Sequence, residues 1–351
     1  MKRIIALALV LMMVIPAVMS CSKKDTITLN VLNWGDYMDP DVVKEFEKEN
    51  PGIKINLTTT TSNEEMYTIC STEGSKVDIL FPSDYMVERM IKEGLLAELD
   101  LANIPNFKYI EEASSTRTYD PESKYSIPYV MGTVGIVYNK TLVKEPVTSW
   151  GILWDEKYSQ NIMMYDSIRD SLMVALAYLG YDINTTNLDE LKEAGELLKK
   201  QKPLVVAYGT DNIKFDMISG SVALAVDYSG TVAEAIIENP DLGYVVPDEG
   251  SNVWVDNIVI MKNCEYKEAA EKFLDFLCVP EIAAKNTEYL AYTTPNVGAI
   301  ELLDDELLNN EAYLITPEQL ARCKYFVDLD KDTLTEWNNV WMEVKTYKAE
   351  N

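Results

Sequence analysis

Three short stretches of the chain set a carboxylate among aromatic rings: Asn33-Trp34-Gly35-Asp36-Tyr37, Pro82-Ser83-Asp84-Tyr85 and Trp254-Val255-Asp256. The combination suits an organic cation, because ring faces attract an ammonium and its methylenes while the acid neutralises the charge. Any one stretch alone reads first as a partly buried ring beside a solvated acid. Three of them at the ends of predicted strands favour a binding surface, since open α/β sheets take ligands beyond the carboxyl ends of their strands. Other chemistries lack their groups. The 351 residues include no His, which removes Ser-His-Asp and Cys-His nucleophile systems, the helix-borne HExxH zinc site and ordinary His-ligated metals. The glycine-rich nucleotide loops, the GxSxG elbow and the EF-hand loop are missing too, so nucleotide, α/β-hydrolase and calcium-site mechanisms have no signature here. Paired tyrosines for iron(III) are equally unsupported, as the 21 Tyr include no Tyr-Tyr dipeptide.

The elements that must hold these residues follow from hydrophobic spacing. Ile27, Leu29 and Val31 alternate as a strand, and Pro40-Asp41 opens a helix with Val42, Val43 and Phe46 on one face, stopped by Asn50-Pro51-Gly52. Ile53, Ile55 and Leu57 alternate again. Ser62 and Glu65 have capping-box spacing for a helix near Met66 to Cys70, Val77 to Phe81 is a continuously apolar strand, and the next helix ends at Gly94. Strand and helix in alternation predict an α/β domain with a largely parallel sheet. The second half alternates in the same way, with Ser171 to Leu179 and Thr231 to Glu238 reading as helices and Leu204 to Ala207 and Val222 to Val226 as strands. Val253 to Met261 then alternates as a strand that places Trp254 and Asp256 on one face. Lys267 to Leu277 is an amphipathic helix, and Tyr292 to Asn296 a loop. The run from Tyr129 to Tyr138, with Gly132 and Gly135 among β-branched residues, predicts a strand passing from one lobe to another.

Composition sets the class. With 47% hydrophobic residues and a net charge of −26, the chain builds cores and repels nucleic acid and anionic lipid headgroups. Its length suits about two domains. Lys2 and Arg3 precede an apolar run from Ile4 to Val18 that is too short to span a bilayer and has a signal-peptide layout. It ends in Val18-Met19-Ser20-Cys21, which resembles a bacterial lipobox with Cys21 as the lipidated residue. These features predict a leader at 1–20, a tether at 21–26 and a protein held by lipid at the outer face of the cytoplasmic membrane, in the periplasmic space or at the cell surface. Cys70, Cys264, Cys278 and Cys323 remain. They form no CxxC spacing, so a metal site is not expected, and sequence alone does not choose among three disulfide pairings or none.

Along nearly the whole of the remaining chain the sequence resembles the bacterial spermidine/putrescine-binding proteins, extracytoplasmic receptors of polyamine ABC importers. The stretches that carry the resemblance include Leu32-Asn33-Trp34, Ser62-Asn63-Glu64-Glu65-Met66-Tyr67, Pro82-Ser83-Asp84-Tyr85, Tyr125-Ser126-Ile127-Pro128-Tyr129, Trp254-Val255-Asp256 and Thr294-Pro295-Asn296, all in the same order. It implies an α/β, two-lobed periplasmic-binding-protein-like fold, each lobe a mixed, mainly parallel sheet flanked by helices, with the ligand gripped between lobes. The lobes would comprise 27–134 plus 256–302 and 135–255 plus 303–351. Carried over by position, Trp34, Tyr37, Tyr85, Trp254 and Tyr292 would line the cleft, Tyr228 stands where a relative has Trp, and Ser83 and Asp256 are polar contacts with Asp256 the principal acid. Asp36 and Asp84 complete the first lobe's candidates. In Asp166-Ser167-Ile168-Arg169-Asp170 of the second lobe, Asp170 replaces a Glu and Ser167 an Asp, so one charge is missing. The implied partners are spermidine or putrescine and a membrane permease, for a monomer with no cofactor, no metal and no covalent chemistry. A sugar-binding receptor of the same fold is the near alternative. A carbohydrate-active enzyme using one of the many possible carboxylate pairs is the more distant one.

Overall fold

The computed structural model describes residues 26–110, 117–210 and 212–348; the leader 1–20 and Cys21 with most of its tether lie outside the described residues. Among the described residues nine strands, β1 Ile27–Trp34, β2 Ile53–Thr60, β3 Ile79–Leu80, β4 Ser126–Asn139, β5 Ile162–Tyr165, β6 Val205–Gly209, β7 Leu224–Tyr228, β8 Leu242–Val245 and β9 Val253–Ile260, form one mixed sheet. Its order is β2-β1-β3-β9-β4-β7-β5-β6, with β8 also on β4. The outer pairings β1 with β2 and β3, and β5 with β6 and β7, are parallel; each antiparallel pairing of strands involves β4 or β9.

β4 joins the two lobes. Ser126 to Thr133 pair with β9 in the first lobe, whereas Val134 to Asn139 pair with β7 and β8 in the second. Its residues are buried almost throughout, because both faces are covered, and that is why its sequence reads as a nearly continuous apolar run instead of an alternation. Each lobe has its own core. Leu29, Val31, Phe46, Ile79, Ile258 and Phe273 pack together in the first, and Trp150, Leu172, Leu176, Leu198 and Trp337 in the second.

The local signals behave as physical chemistry dictates. The helix Pro40–Glu49 starts with Pro at its first turn and the Asp39 carboxylate accepting from Asp41 N–H. At the helix Asn63–Ser71 the Ser62 hydroxyl accepts from Glu65 N–H, but the Glu65 carboxylate turns instead to the Thr60 and Thr61 hydroxyls and the Thr61 N–H. Only half of the expected capping box forms, because two hydroxyls of the preceding strand end offer the acid more donors than one backbone amide. Three long helices, Leu188–Gln201, Pro280–Leu290 and Lys331–Thr346, had no counterpart among the elements predicted from hydrophobic spacing. The last carries the Trp337, Val340, Trp341 and Val344 stripe onto the second core, a 3.6-residue periodicity that was present in the sequence. The four described cysteines are free thiols.

Candidate ligand-binding site

The first anchor of the site comes from strand register. Leu80 of β3 lies opposite Val259 of β9, and the same antiparallel alignment continued three residues brings Ser83 opposite Asp256. The Asp256 carboxylate thus accepts from the Ser83 hydroxyl at 2.6 Å and, on its other oxygen, from the Tyr37 hydroxyl at 2.7 Å. Asn63 fixes Ser83 in turn, donating to its hydroxyl and accepting from its N–H, both at 3.0 Å. Burial raises the Asp256 carboxyl to about 6, against the lowering effect of its two hydroxyl donors.

From Tyr37 a row of rings crosses to the second lobe. Tyr37 lies 6.0 Å from Tyr292, Tyr292 stands edge-on to Trp254 at 5.1 Å, and Trp254 is edge-on to Tyr228 at 5.8 Å. Tyr165 backs Tyr228 at 4.8 Å, and Tyr129 and Trp34 flank Tyr37 at 6.0 and 6.5 Å. The Trp34 indole N–H is fixed on the Phe81 carbonyl at 2.8 Å. At the far end the Tyr228 hydroxyl donates to Asp170 at 3.0 Å. Asp170 sits in the first turn of the helix Ile168–Tyr178, immediately beyond β5, where the helix dipole favours an anion. Its N–H is capped by the Ser167 hydroxyl at 3.3 Å. Burial nonetheless raises its carboxyl. Its Oδ1 and the Trp254 Nε1 are buried without a hydrogen-bond partner, which is costly unless a further group meets them.

Three predicted residues stand apart from this row. Asp36 is exposed in the turn after β1, with a left-handed φ of 44°. Asp84 is buried, and its two oxygens accept from the N–H groups of Tyr85 and Val255, so it ties the start of the helix Asp84–Lys92 to β9; burial carries its carboxyl up to about 8. Tyr85 donates to Glu64 at 3.1 Å and faces the Arg169 guanidinium, 5.9 Å from its ring centroid. Among the described residues no group of His, Cys, Asp and Glu is arranged to hold a metal ion.

A row of rings with a carboxyl at either end can hold an elongated molecule that carries a positive charge near each end. A sequence model of the family described as bacterial extracellular solute-binding protein matches residues 41–313. The chain belongs to the bacterial extracellular solute-binding proteins. This solute-binding protein is 34% identical over 307 residues to the spermidine/putrescine-binding periplasmic protein of Salmonella typhimurium, covering 87% of this chain and 88% of the relative. It is similar to the solved spermidine/putrescine ABC transporter substrate-binding protein of Streptococcus pneumoniae, with 36% identity, a TM-score of 0.81 and coverage of 91% and 99%. A Treponema pallidum lipoprotein structure gives 26% identity, also at a TM-score of 0.81, over 90% and 99% of the two chains.

Several residues of the solute-binding protein's site gave no clear signal in the sequence. Asn63 falls at a helix start and within one of the stretches that carry the resemblance, but neither marks it as a site residue, and its two-way clamp on Ser83 depends on a contact 20 positions away. Tyr129, whose hydroxyl donates to the Tyr37 carbonyl at 3.1 Å, lies inside an apolar run with no acid beside it. Arg169 is buried among Tyr85, Phe326 and Trp337, and the signal that could have found it is a lone cation next to the acid Asp170.

Proposed function

We propose that this solute-binding protein captures a polyamine, spermidine or putrescine, between its lobes and hands it to the permease of an ABC importer, without covalent chemistry. The observation that carries the reading is the row Tyr37, Tyr292, Trp254 and Tyr228 with the buried carboxyls of Asp256 and Asp170 at its two ends. Terminal ammonium groups meet the acids, and the methylenes between them lie on ring faces. Each arriving cation also compensates a carboxyl that burial now disfavours as an anion. The names of the Salmonella and Streptococcus relatives support the ligand class.

The apolar run ending at Cys21, together with the Treponema relative described as a lipoprotein, supports lipid anchoring outside the cytoplasm. One calorimetric panel tests the ligand class: spermidine, putrescine, lysine, arginine and a set of oligosaccharides. Saturable heat from the first two with none from the sugars is expected. Binding of an oligosaccharide alone would replace this reading with a sugar receptor.

A further inference from the structure

Two glycines lie directly against rings of the row. A Cβ built on Gly230, in the first turn of the helix Ser229–Glu238, would stand 2.2 Å from Cδ1 and 2.3 Å from Cε1 of Tyr292. One built on Gly132 of β4 would stand 2.6 Å from Cζ2 of Trp254 and 2.8 Å from the Ser229 hydroxyl. Neither glycine has a left-handed φ, in contrast to Gly74, Gly94, Gly180, Gly220 and Gly250. The backbone at 132 and 230 is therefore open to any residue, and glycine in a strand or helix is less stable there than alanine would be. What these positions use is the missing side chain.

We propose that Gly132 and Gly230 are positioning residues that set the width of the cleft by letting the Trp254 and Tyr292 rings lie flush on the backbone. The inference rests on the polyamine reading and deepens it, because the recess leaves room for a slender ammonium chain in front of the rings. A methyl group at either glycine forces its ring forward by roughly an ångström to regain ordinary contact distance. Tyr292 is held laterally by Tyr37, by Trp254 and by the Thr231 hydroxyl at 3.2 Å. Trp254 is held between Tyr228 and Tyr292. Confined in this way, a displaced ring narrows the cleft.

The test is a double-mutant cycle on the full chain, read by putrescine and agmatine titration and by thermal melting. Gly230→Ala should weaken putrescine roughly tenfold or more, the scale of a small misplacement at a site, and should weaken agmatine further because its planar guanidinium head is wider. In a Tyr292→Ala background the same change should cost no additional affinity and should raise the melting temperature, since only the helix preference for alanine remains. Gly132→Ala should likewise cost less affinity in a Trp254→Ala background than in the wild type, but without a rise in melting temperature, because its methyl group still meets the Ser229 hydroxyl when the indole is gone. If Gly230→Ala fails to fold, recovery of folding in the double variant supports the proposal and its failure to recover overturns it. A wild type that binds neither of these amines nor spermidine rejects the polyamine reading, while the melting cycle still tests the glycines. A wild type that binds, with Gly230→Ala binding equally well or losing the same affinity in both backgrounds, rejects the glycines' role and leaves the receptor reading standing.

Discussion

Asp256 and Asp170 close opposite ends of one row of rings, yet their carboxyls are held by different means. Asp256 lies in the middle of a buried strand, and both of its oxygens are met by hydroxyls, from Tyr37 and from a Ser83 that Asn63 clamps in place. Asp170 lies in the first turn of a helix, with one oxygen on Tyr228 and the other buried without a partner. Beside it is the buried Arg169, whose guanidinium is committed to the Asn184 side chain and the Val327 carbonyl. The first end is a pre-oriented anchor, and an arriving ammonium joins an arrangement already fixed in position. The second end leaves one buried acceptor unpartnered. On the proposed reading, the first end would govern whether a cation binds, and the second how far along the row it reaches.

The largest expected effect is at the anchor. Asp256→Asn should weaken diamines and triamines alike by about 2–5 kcal/mol, because an ammonium would lose its buried counter-charge; titration of putrescine and spermidine checks it, and wild-type binding would reject the site. Asp170→Asn should fall preferentially on spermidine. Ser167→Asp retains helix-capping ability, because Asp caps as well as Ser does, while adding charge beside Asp170; a competition titration should move toward spermidine. Unchanged selectivity in both variants would erase the proposed division between the ends.

The aromatic walls come next. Trp34→Ala should cost roughly 0.5–2 kcal/mol of binding as stacking area is lost. Trp254→Ala should do at least as much and should also lower the melting temperature, because the ring is 8% exposed and packed in the first core. Parental titration curves from both variants would place the ligand elsewhere.

Proton linkage offers a subtler comparison. The Asp256 carboxyl is raised in the fold from its ordinary 3.8 to about 6, and that of Asp84 to about 8. Groups raised in this direction bind protons more tightly folded than unfolded, so their stabilising contribution is full below about pH 4 and is lost as pH rises through about 6 and then about 8. On this account the ligand-free protein loses these groups' contribution to its melting temperature between about pH 4 and 8, that of Asp256 by about pH 6. A bound dication favours the ionised Asp256, so the melting increment given by putrescine should grow as pH rises toward about 6 and level off above it. A pH-independent increment would show that Asp256 does not titrate with binding. The smallest effect on affinity is expected at the other end of the chain: Cys21→Ala should leave titration curves unchanged while releasing the protein from membranes, and mass spectrometry of an unmodified Cys21 in membrane material would remove the anchor.

Local chemistry was legible wherever a signal fits within about ten residues. The helix Lys267–Leu277 matches its predicted bounds, and β1, β2 and β9 lie where their alternation or apolar content placed them. Short β3 was legible in position but overestimated in length, since only Ile79 and Leu80 find ladder partners. The long helices Leu188–Gln201 and Pro280–Leu290 were passed over although their starts carry an Asn cap and a first-turn proline. Of the acids predicted to face the ligand, Asp256 and Asp170 entered the ring row, whereas Asp84 was claimed by backbone amides and Asp36 was left in an exposed turn. An acid beside an aromatic in sequence says nothing of which N–H or O–H will reach it first.

The sequence by itself determined the charge, the absence of imidazole chemistry, the alternation of strand and helix and the placement of acids with rings at strand ends, because each depends on residue type or on neighbours a few positions away. Only the tertiary structure decided which of those acids share a cleft. β9 inserts between β3 and β4, and that choice of strand order sets Ser83 against Asp256 and carries Trp254 between Tyr292 and Tyr228. Strand order reflects how strands some two hundred residues apart in the chain bury their faces in each lobe's core, and the shift of each carboxyl follows from that burial. Neither quantity is a property of any short segment.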